Sequence, residues 1–560
     1  MAQSWKRITM LLDSISGLIG CEAGWVRRAL MAMAGTLLAG GVLAAPMSGP
    51  DILKTQCGSC HLQSGTLQRI DGLRKTPEGW DMTIARMYIW HKDQFRAGTM
   101  EISKEDRRTL VKYLADRQGL APEESAPYRF LIERRPNAQD VAPDDDLSQM
   151  CARCHSFGRI ALQRRDADEW KKLVHTHLGQ FPSIEYSNLG RDRAWKDIAL
   201  GQVVPKLAGL YPANTAAWKN WQNKRHAAPT GSWRISGHRP GWGDYAGYMQ
   251  VDSLGNDRYD VRYELNYASG NQVTGRGQSI IYTGYEWRGD ATIGNQKVRS
   301  VFALSEDGKK IAGRWFLRES DEVGATFEAI PDNAGSPSAI VAVFPSILKA
   351  GSEARLSVQG VQLVKGFKEF DLGPGIKVLS TEQKGADQVD LTVSVADDAP
   401  VGLHSMNAKG AAEGAKGSVK VAVYRQFDSI RVEPEFGIAR LGGGTTPGVS
   451  AQFEAVAYLN GPDGLPGTAD DIRLGYVSAT WKVDNHDDKA KAADDVKFAG
   501  VMETQGLFLP AATGPNPARK GRSNVGDLSV TASVIDGTRT GEASAHLVVS
   551  VQIWNKPPLR

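Results

Sequence analysis

Two short runs in the chain carry residues whose types and spacing define a chemistry: Cys57-Gly58-Ser59-Cys60-His61 and Cys151-Ala152-Arg153-Cys154-His155. Both have the spacing of a c-type haem attachment site. Two thiols one helical turn apart can add to the two vinyl groups of one haem, and the adjoining imidazole then lies beneath the iron as proximal ligand. A thioredoxin-like CxxC or half of a zinc site is the bland alternative, but neither requires a histidine directly after the second cysteine in both copies. The chain has five cysteines. The fifth, Cys21, lies in an N-terminal stretch with the character of a leader, which leaves the mature chain no cysteine for a structural disulfide. The expectation is two covalently bound haem c groups, held by Cys57 and Cys60 and by Cys151 and Cys154, with His61 and His155 on the two irons.

The surroundings of the motifs repeat as well. Trp80-Asp81-Met82-Thr83-Ile84-Ala85-Arg86-Met87 comes after the first, and Trp170-Lys171-Lys172-Leu173-Val174-His175-Thr176-His177 after the second. Aligning the tryptophans sets Met87 opposite His177. A six-coordinate c haem needs a distal ligand, usually Met or His, so Met87 is assigned to the first iron and His177 to the second. His91 and Met100 remain open for the first, and His175 for the second. Arg69, Arg74, Arg153, Arg159, Arg164 and Arg165 are candidates to pair haem propionates, of which one or two are expected to do so. Further on, Leu110-Val111-Lys112-Tyr113-Leu114-Ala115 matches Val203-Val204-Pro205-Lys206-Leu207-Ala208, apolar pairs at helical spacing that would pack a closing helix. Ser103 with Asp106 supplies a start signal for the first of these helices.

The rest of the chain must supply the elements that position these residues. Its 560 residues suggest about three to four domains, and 67 basic against 63 acidic side chains, with no basic block interleaved with aromatics, give little support to nucleic-acid binding. Arg27 and Arg28 precede an apolar run from Ala29 to Ala45 that ends in small residues, the order of a cleaved secretory leader, and so an export to the periplasm. A lone membrane anchor is the alternative, for which the run is marginal in length. The mature chain would carry 63 basic and 61 acidic side chains. From about Ser232 the helical period gives way to alternation, as in Tyr259, Val261, Tyr263, Leu265 and Tyr267, the mark of a strand with one buried face. The fold class expected is multidomain α plus β. N-terminal tandem all-α cytochrome c modules (46–225, as about 46–125 and 140–225) precede an antiparallel β-barrel (230–332) and two immunoglobulin-like β-sandwiches (337–425 and 428–560). The barrel tyrosines and tryptophans read as core. The loop from Asn460 to Asp471 gathers oxygen ligands, but its spacing does not meet the EF-hand template, and a solvated hairpin tip is the simpler reading.

Tandem haem modules ahead of three β units resemble the haem-bearing α-subunit family of quinohemoprotein amine dehydrogenases. The specific parts are CGSCH, the run Arg74-Lys75-Thr76-Pro77-Glu78-Gly79-Trp80 with Ile84 to Met87, CARCH, and His177-Leu178-Gly179-Gln180-Phe181-Pro182. The resemblance implies a periplasmic heterotrimer that oxidises primary amines to aldehydes and ammonia. A small subunit carries cysteine tryptophylquinone, a β-propeller subunit helps enclose it, and the dihaem subunit takes the electrons on to a soluble acceptor such as a blue copper protein or cytochrome c. No cysteine is free here to build the quinone, so no catalytic residue is assigned to this chain. The alternatives are a self-sufficient dihaem enzyme of peroxidase type, which would need one haem without a strong distal ligand, and a scaffolding role, which leaves the haems without a purpose.

Overall fold

The computed structural model describes residues 47–91, 102–138, 140–185, 193–367, 369–409, 418–444 and 446–551. The expected leader, 1–45, and Met100 lie outside the described residues. Among those described, no helix is long and apolar enough to cross a membrane.

Three helices of 14 residues and a number of shorter ones build the N-terminal part. Helix α1 (Pro77–Trp90) starts at Thr76, whose hydroxyl accepts the Gly79 amide at 3.2 Å. Helix α2 (Lys104–Arg117) starts at Ser103, which accepts the Asp106 amide at 2.9 Å as its sequence foretells. Helix α3 (Ala167–Gln180) starts at Asp166, which accepts the Glu169 amide at 2.7 Å, and the shorter α4 spans Val204–Leu210. Each of the three caps satisfies an amide that the first turn leaves without a partner and places an acceptor at the positive end of the helix. Leu110, Val111, Leu114 and Ala115 of α2 are buried, as are Val203, Val204 and Leu207 around α4, so the two matched apolar runs do close the two cores.

The N-terminal part is not wholly helical. Leu62–Gln63 pairs with Thr66–Leu67, and β1 (Leu73–Lys75) pairs antiparallel with β2 (Gln163–Arg165), with Arg74 opposite Arg164. Three residues are too few for an alternating pattern to be read from sequence. What makes them strands is that each leads into a capping residue in extended conformation, and each finds the equivalent segment of the other half as its partner. The ladder therefore joins the two halves. Gly72 lets them approach, since a Cβ there would collide with the Asp166 carboxylate.

Residues 231–331 form eight antiparallel strands closed into a barrel: β3 (Gly231–Arg239), β4 (Gly243–Gly255), β5 (Arg258–Tyr267), β6 (Gln272–Tyr282), β7 (Glu286–Ile293), β8 (Gln296–Leu304), β9 (Ile311–Leu317) and β10 (Gly324–Pro331). Successive strands pair, and β10 returns to β3. The alternation read in β5 holds: Tyr259, Val261, Tyr263, Leu265 and Tyr267 are all buried, packed with Trp233, Tyr245, Trp287, Phe302, Trp315 and Phe327. Closure removes the strand edges, and the aromatic rings fill the interior.

Two further β units follow, the first of two sheets and the last of three. The strands Ala339–Phe344, Ser352–Val361, Gln388–Val395 and Ile376–Gln383 make one four-stranded sheet, and Ile347–Lys349, Ser418–Tyr424, Gly402–Lys409 and Glu369–Asp371 another. Leu356, Leu391 and Val393 of the first share a core with Leu348, Met406 and Val421 of the second. The last unit is built around a sheet in the order β11 (Phe436–Arg440), β14 (Arg539–Ser550), β13 (Gly526–Asp536), β12 (Thr480–Asn485). Leu528, Val530, Leu547 and Val549 turn one face of it into a core shared with Val432, Ala455 and Ala457 of a three-stranded sheet.

One corner of the barrel carries the helical part. Trp221 donates to the Thr283 carbonyl at 2.7 Å, and the Asp116 carboxylate accepts the Thr283 amide at 2.7 Å. The Tyr285 hydroxyl lies 2.7 Å from that of Ser125, and Arg288 pairs with Glu78 of α1 at 2.5 Å.

Candidate haem-binding site

The two CxxCH runs begin alike and then differ, Gly58–His61 forming a helical turn and Arg153–His155 a run of bends. Cys57 and Cys151 each lie in a wide π-helical turn, Leu53–Cys57 and Ser148–Ala152, a widening that recurs at functional sites. Cys57 packs against the cluster of Ile52, Leu73, Trp80 and Leu110, which also takes up Ile84 of α1. Cys151 packs against Leu147, Phe157, Trp170 and Val203, together with Leu173 and Leu178 of α3. In each half one core thus brings the motif and one long helix together. None of the four cysteines is in a disulfide. Burial pushes the Cys57 thiol up to about 11 and that of Cys151 up to about 12. A disulfide oxidoreductase needs the reverse, a thiol lowered toward neutrality.

Three imidazoles share one feature. A backbone carbonyl can only accept, so the Nδ1 facing it must carry the proton. His61 Nδ1 donates to Gln68 O at 2.9 Å, His155 Nδ1 to Ser156 O at 3.0 Å and His177 Nδ1 to Leu173 O at 3.1 Å. In each neutral ring Nε2 is left with its lone pair, which is how protein structure fixes a histidine for iron. Burial, joined by the positive charge of Arg159, lowers both His155 and His177 below the usual histidine value and favours the neutral form; His177 also lowers His155.

The alignment of the two halves is met in three dimensions. Helices α1 and α3 are both 14 residues long. Trp80 and Trp170, each 1% exposed, hold the same position and donate to the carbonyls of Gln118 and Tyr211 at 3.0 and 3.3 Å. Met87 and His177 fall at the same later position, both half-buried. Tyr88, next to Met87, is near enough to Cys57 to feel its charge, after burial as the larger cause of its raised value. His91 is exposed at the C-terminal cap of α1. His175 is exposed too, two residues and so about 200° around the helix from His177.

The arginines divide into committed and uncommitted groups. Arg74 grips Glu124 with two bonds of 2.8 Å, and Arg164 joins at 3.3 Å. Burial would raise Glu124, but the hydrogen bonds and charge of Arg74 and the charge of Arg164 hold it below the usual carboxylate value. Arg69 and Arg165 face Glu169 at 3.6 and 3.9 Å. Arg153 has a partner of its own. Of the six candidates, Arg159 is the one left over. It converges with Arg86 on the Met82 thioether at 3.9 and 3.1 Å, and among the described residues neither meets a carboxylate. Both guanidinium groups are held below their usual value by burial first and by a neighbouring arginine second. Arg86 is the residue that sequence reasoning missed, although it stands directly before Met87.

The donor set fits a haem at each motif: a cysteine pair, an imidazole with Nε2 free, and a second Met or His from the facing helix. At the junction of the halves Arg86 and Arg159 could pair an acid. Gln56 Oε1 and Ser156 Oγ, one beside each motif, are buried without a hydrogen-bond partner among the described residues. In the loop at 460–471 the Thr468 hydroxyl lies 2.7, 3.3 and 3.4 Å from carboxylate oxygens of Asp470, Asp471 and Asp463, and the same carboxylates are engaged by neighbouring groups. Asp463 accepts the Leu465 amide, Asp471 accepts the Gly467 amide and pairs with Arg431, and Asp470 accepts from Thr468.

Four family models match the chain in succession. They are described as quinohemoprotein amine dehydrogenase A, alpha subunit, haem binding (residues 47–218), and quinohemoprotein amine dehydrogenase alpha subunit domain II (226–332), domain III (337–425) and domain IV (430–559). No curated protein matches. Among solved structures, a redesigned β-barrel is 18% identical with a TM-score of 0.18, covering 20% of this chain and 100% of its own. A de novo fluorescence-activating β-barrel is 19% identical at a TM-score of 0.17, covering 20% and 100%. The mixed-linkage glucan utilization protein SGBP-B of Bacteroides ovatus is 11% identical at 0.17, covering 59% and 65%.

Proposed function

Since the chain belongs to the quinohemoprotein amine dehydrogenase α-subunit family and is thus the haem-binding subunit of an amine dehydrogenase complex, we propose that it is the electron-transfer subunit of that complex, with its quinone in a partner chain. Cys57 and Cys60 hold one haem c and Cys151 and Cys154 the other. His61 and Met87 ligate the first iron, His155 and His177 the second. Each haem, when bound, supplies one-electron ferric/ferrous chemistry. The carbonyls of Gln68, Ser156 and Leu173 keep the three imidazoles in the ligating tautomer, and Arg86 and Arg159 neutralise propionates at the junction. The observation that carries this reading is the duplicated construction, in which one core in each half joins a cysteine pair to a ligand-bearing helix. The mature chain starts near residue 46 in the periplasm. The haem modules span about 46–125 and 140–225, and the barrel 230–332. The later units, 337–425 and 428–560, are immunoglobulin-like sandwiches. The β units dock the small cysteine tryptophylquinone subunit and a β-propeller subunit. A blue copper protein or a cytochrome c then receives the electrons.

The test is a haem count combined with reconstitution. Two haems per chain are expected by pyridine haemochrome, and one after Cys57→Ala with Cys60→Ala. Amine-driven haem reduction should require the partner chains. Amine oxidation by this chain alone would overturn the assignment, and efficient peroxide turnover would favour a dihaem peroxidase.

A further inference from the structure

The last sheet has two faces with different tasks. Leu528, Val530, Leu547 and Val549 point into the core. By the two-residue period of a strand, Asp527, Ser529 and His546 point outward. Register brings these outward residues together: Ser529 of β13 is opposite His546 of β14. On the other side of β13, β12 ends with Asn485 opposite Leu528, so His486, whose amide donates to Asp527 O at 3.1 Å, reaches the level of Asp527. Three adjacent strands of a rigid sheet thus deliver two imidazoles and a carboxylate to one patch of the outer face.

The side chains converge further than packing requires. The His486 and His546 rings stack at 3.9 Å between centroids and 12° between planes. His546 Nε2 contacts Asp527 Oδ1, and His486 Nδ1 lies 3.1 Å from the Ser529 hydroxyl. One ligand atom from each of His486, Asp527 and His546 lies within 4.8 Å of the others. An imidazole offers its unprotonated ring nitrogen as a ligand atom. Phe436 of the neighbouring β11 meets His546 edge-on at 5.2 Å and walls that side of the patch.

We propose that His486, Asp527 and His546 bind one divalent transition-metal ion of the zinc and copper class, outside the haem region. Two imidazoles and a carboxylate form a donor set of borderline softness that suits Zn2+, Cu2+ and Ni2+ over Mg2+ or Ca2+. Ligand bonds of about 2.1 Å need donors roughly 3.4 Å apart, a closure that side-chain rotation of the exposed His486 and of His546 supplies without moving the strands. Three protein ligands on an outward face leave the remaining coordination position to water or to a donor from another chain. The Ser529 hydroxyl, 3.1 Å from His486 Nδ1, can accept its N–H and so leave Nε2 of that ring for the ion.

The test uses the full, haem-loaded chain without a histidine tag, stripped with a chelator, and titrated with Zn2+ by calorimetry. Elemental analysis then counts zinc against haem iron. One zinc per chain is expected, lost in His486→Gln with His546→Gln and weakened about tenfold or more in Asp527→Asn. The Cu2+-loaded chain should show electron-paramagnetic coupling to two imidazole nitrogens. His486 is exposed, so His486→Gln alone leaves the fold intact and should halve the nitrogen coupling. Failure of the unmodified chain to take up zinc, or equal uptake by the double variant, overturns the proposal. The haem spectrum should be the same in all variants.

Discussion

At the scale of single residues, Met87 and His177 occupy equivalent positions but offer different atoms to iron. A thioether favours the ferrous state more than an imidazole does, so the iron facing Met87 should have the higher potential. Met87→His is expected to lower that potential by on the order of 100 mV, as read by spectroelectrochemical titration, and to abolish the thioether-to-iron absorption band. Persistence of the band would identify Met100 or another residue as ligand. Arg86 and Arg159 act by charge alone. A positive charge near the iron favours its less positive, reduced state. Arg86→Gln should therefore lower a haem potential by on the order of 50 mV, with the haem count unchanged. An unaltered potential in both Arg86→Gln and Arg159→Gln would remove these residues from the propionate assignment.

At the scale of elements, the β1–β2 ladder and Glu124 hold the two halves together. Arg74 and Arg164 stand opposite each other in the ladder, and one carboxylate serves both. All three groups are buried. Removing the anion leaves two guanidinium charges without compensation, so Glu124→Gln should cost about 3 kcal/mol or more in thermal or denaturant unfolding of the helical part. The pH dependence has a definite sign. The folded-state value of Glu124 is depressed, so its contribution is in full force above the ordinary carboxylate range and is lost as the pH falls through the depressed value. Acid unfolding of the helical part, tracked by haem absorbance, should be steeper in the unmodified chain than in Glu124→Gln. Equal acid profiles would show that the ladder is held by other forces.

At the scale of the whole molecule, His238 joins units far apart in sequence. Its Nδ1 lies 2.7 Å from Asp244 of β4, its Nε2 2.9 Å from Glu454 in the last unit, and its ring stacks on Tyr476 at 3.9 Å. Burial works against the charged ring, but the hydrogen bonds and charges of Asp244 and Glu454 prevail and raise it to about 9. A raised value means that the contribution is complete below the unfolded histidine's value and is lost as the pH rises through about 9. The junction of barrel and last unit should therefore loosen between neutral and alkaline pH, by about 3 kcal/mol at most. Hydrogen exchange at β4 and at 454–459 is the measurement. His238→Gln should show fast exchange already at neutral pH, and equal protection in the two proteins would exclude the histidine from this role.

Local chemistry is legible along the chain without any knowledge of its fold. A cysteine pair with histidine directly after it specifies its reaction in five residues, the tryptophan register puts Met87 and His177 in step, and Ser103 starts a helix with its own hydroxyl. The alternation of β5 reveals its buried face for the same reason, strand period being a local property, whereas closure into a barrel is decided by the pairing of β10 with β3. Contacts between residues distant in the chain are decided only when it folds. Six arginines look alike as propionate partners until Glu124 and Glu169 claim four of them and Met82 brings Arg86 beside Arg159. The strands β1 and β2 exist because each pairs with the other across about ninety residues. His486 follows the end of β12, Asp527 lies on β13 and His546 on β14, with no shared motif. Pattern carries information over one or two turns of chain, whereas charge compensation, strand register and ligand convergence are set by whichever residues folding makes neighbours.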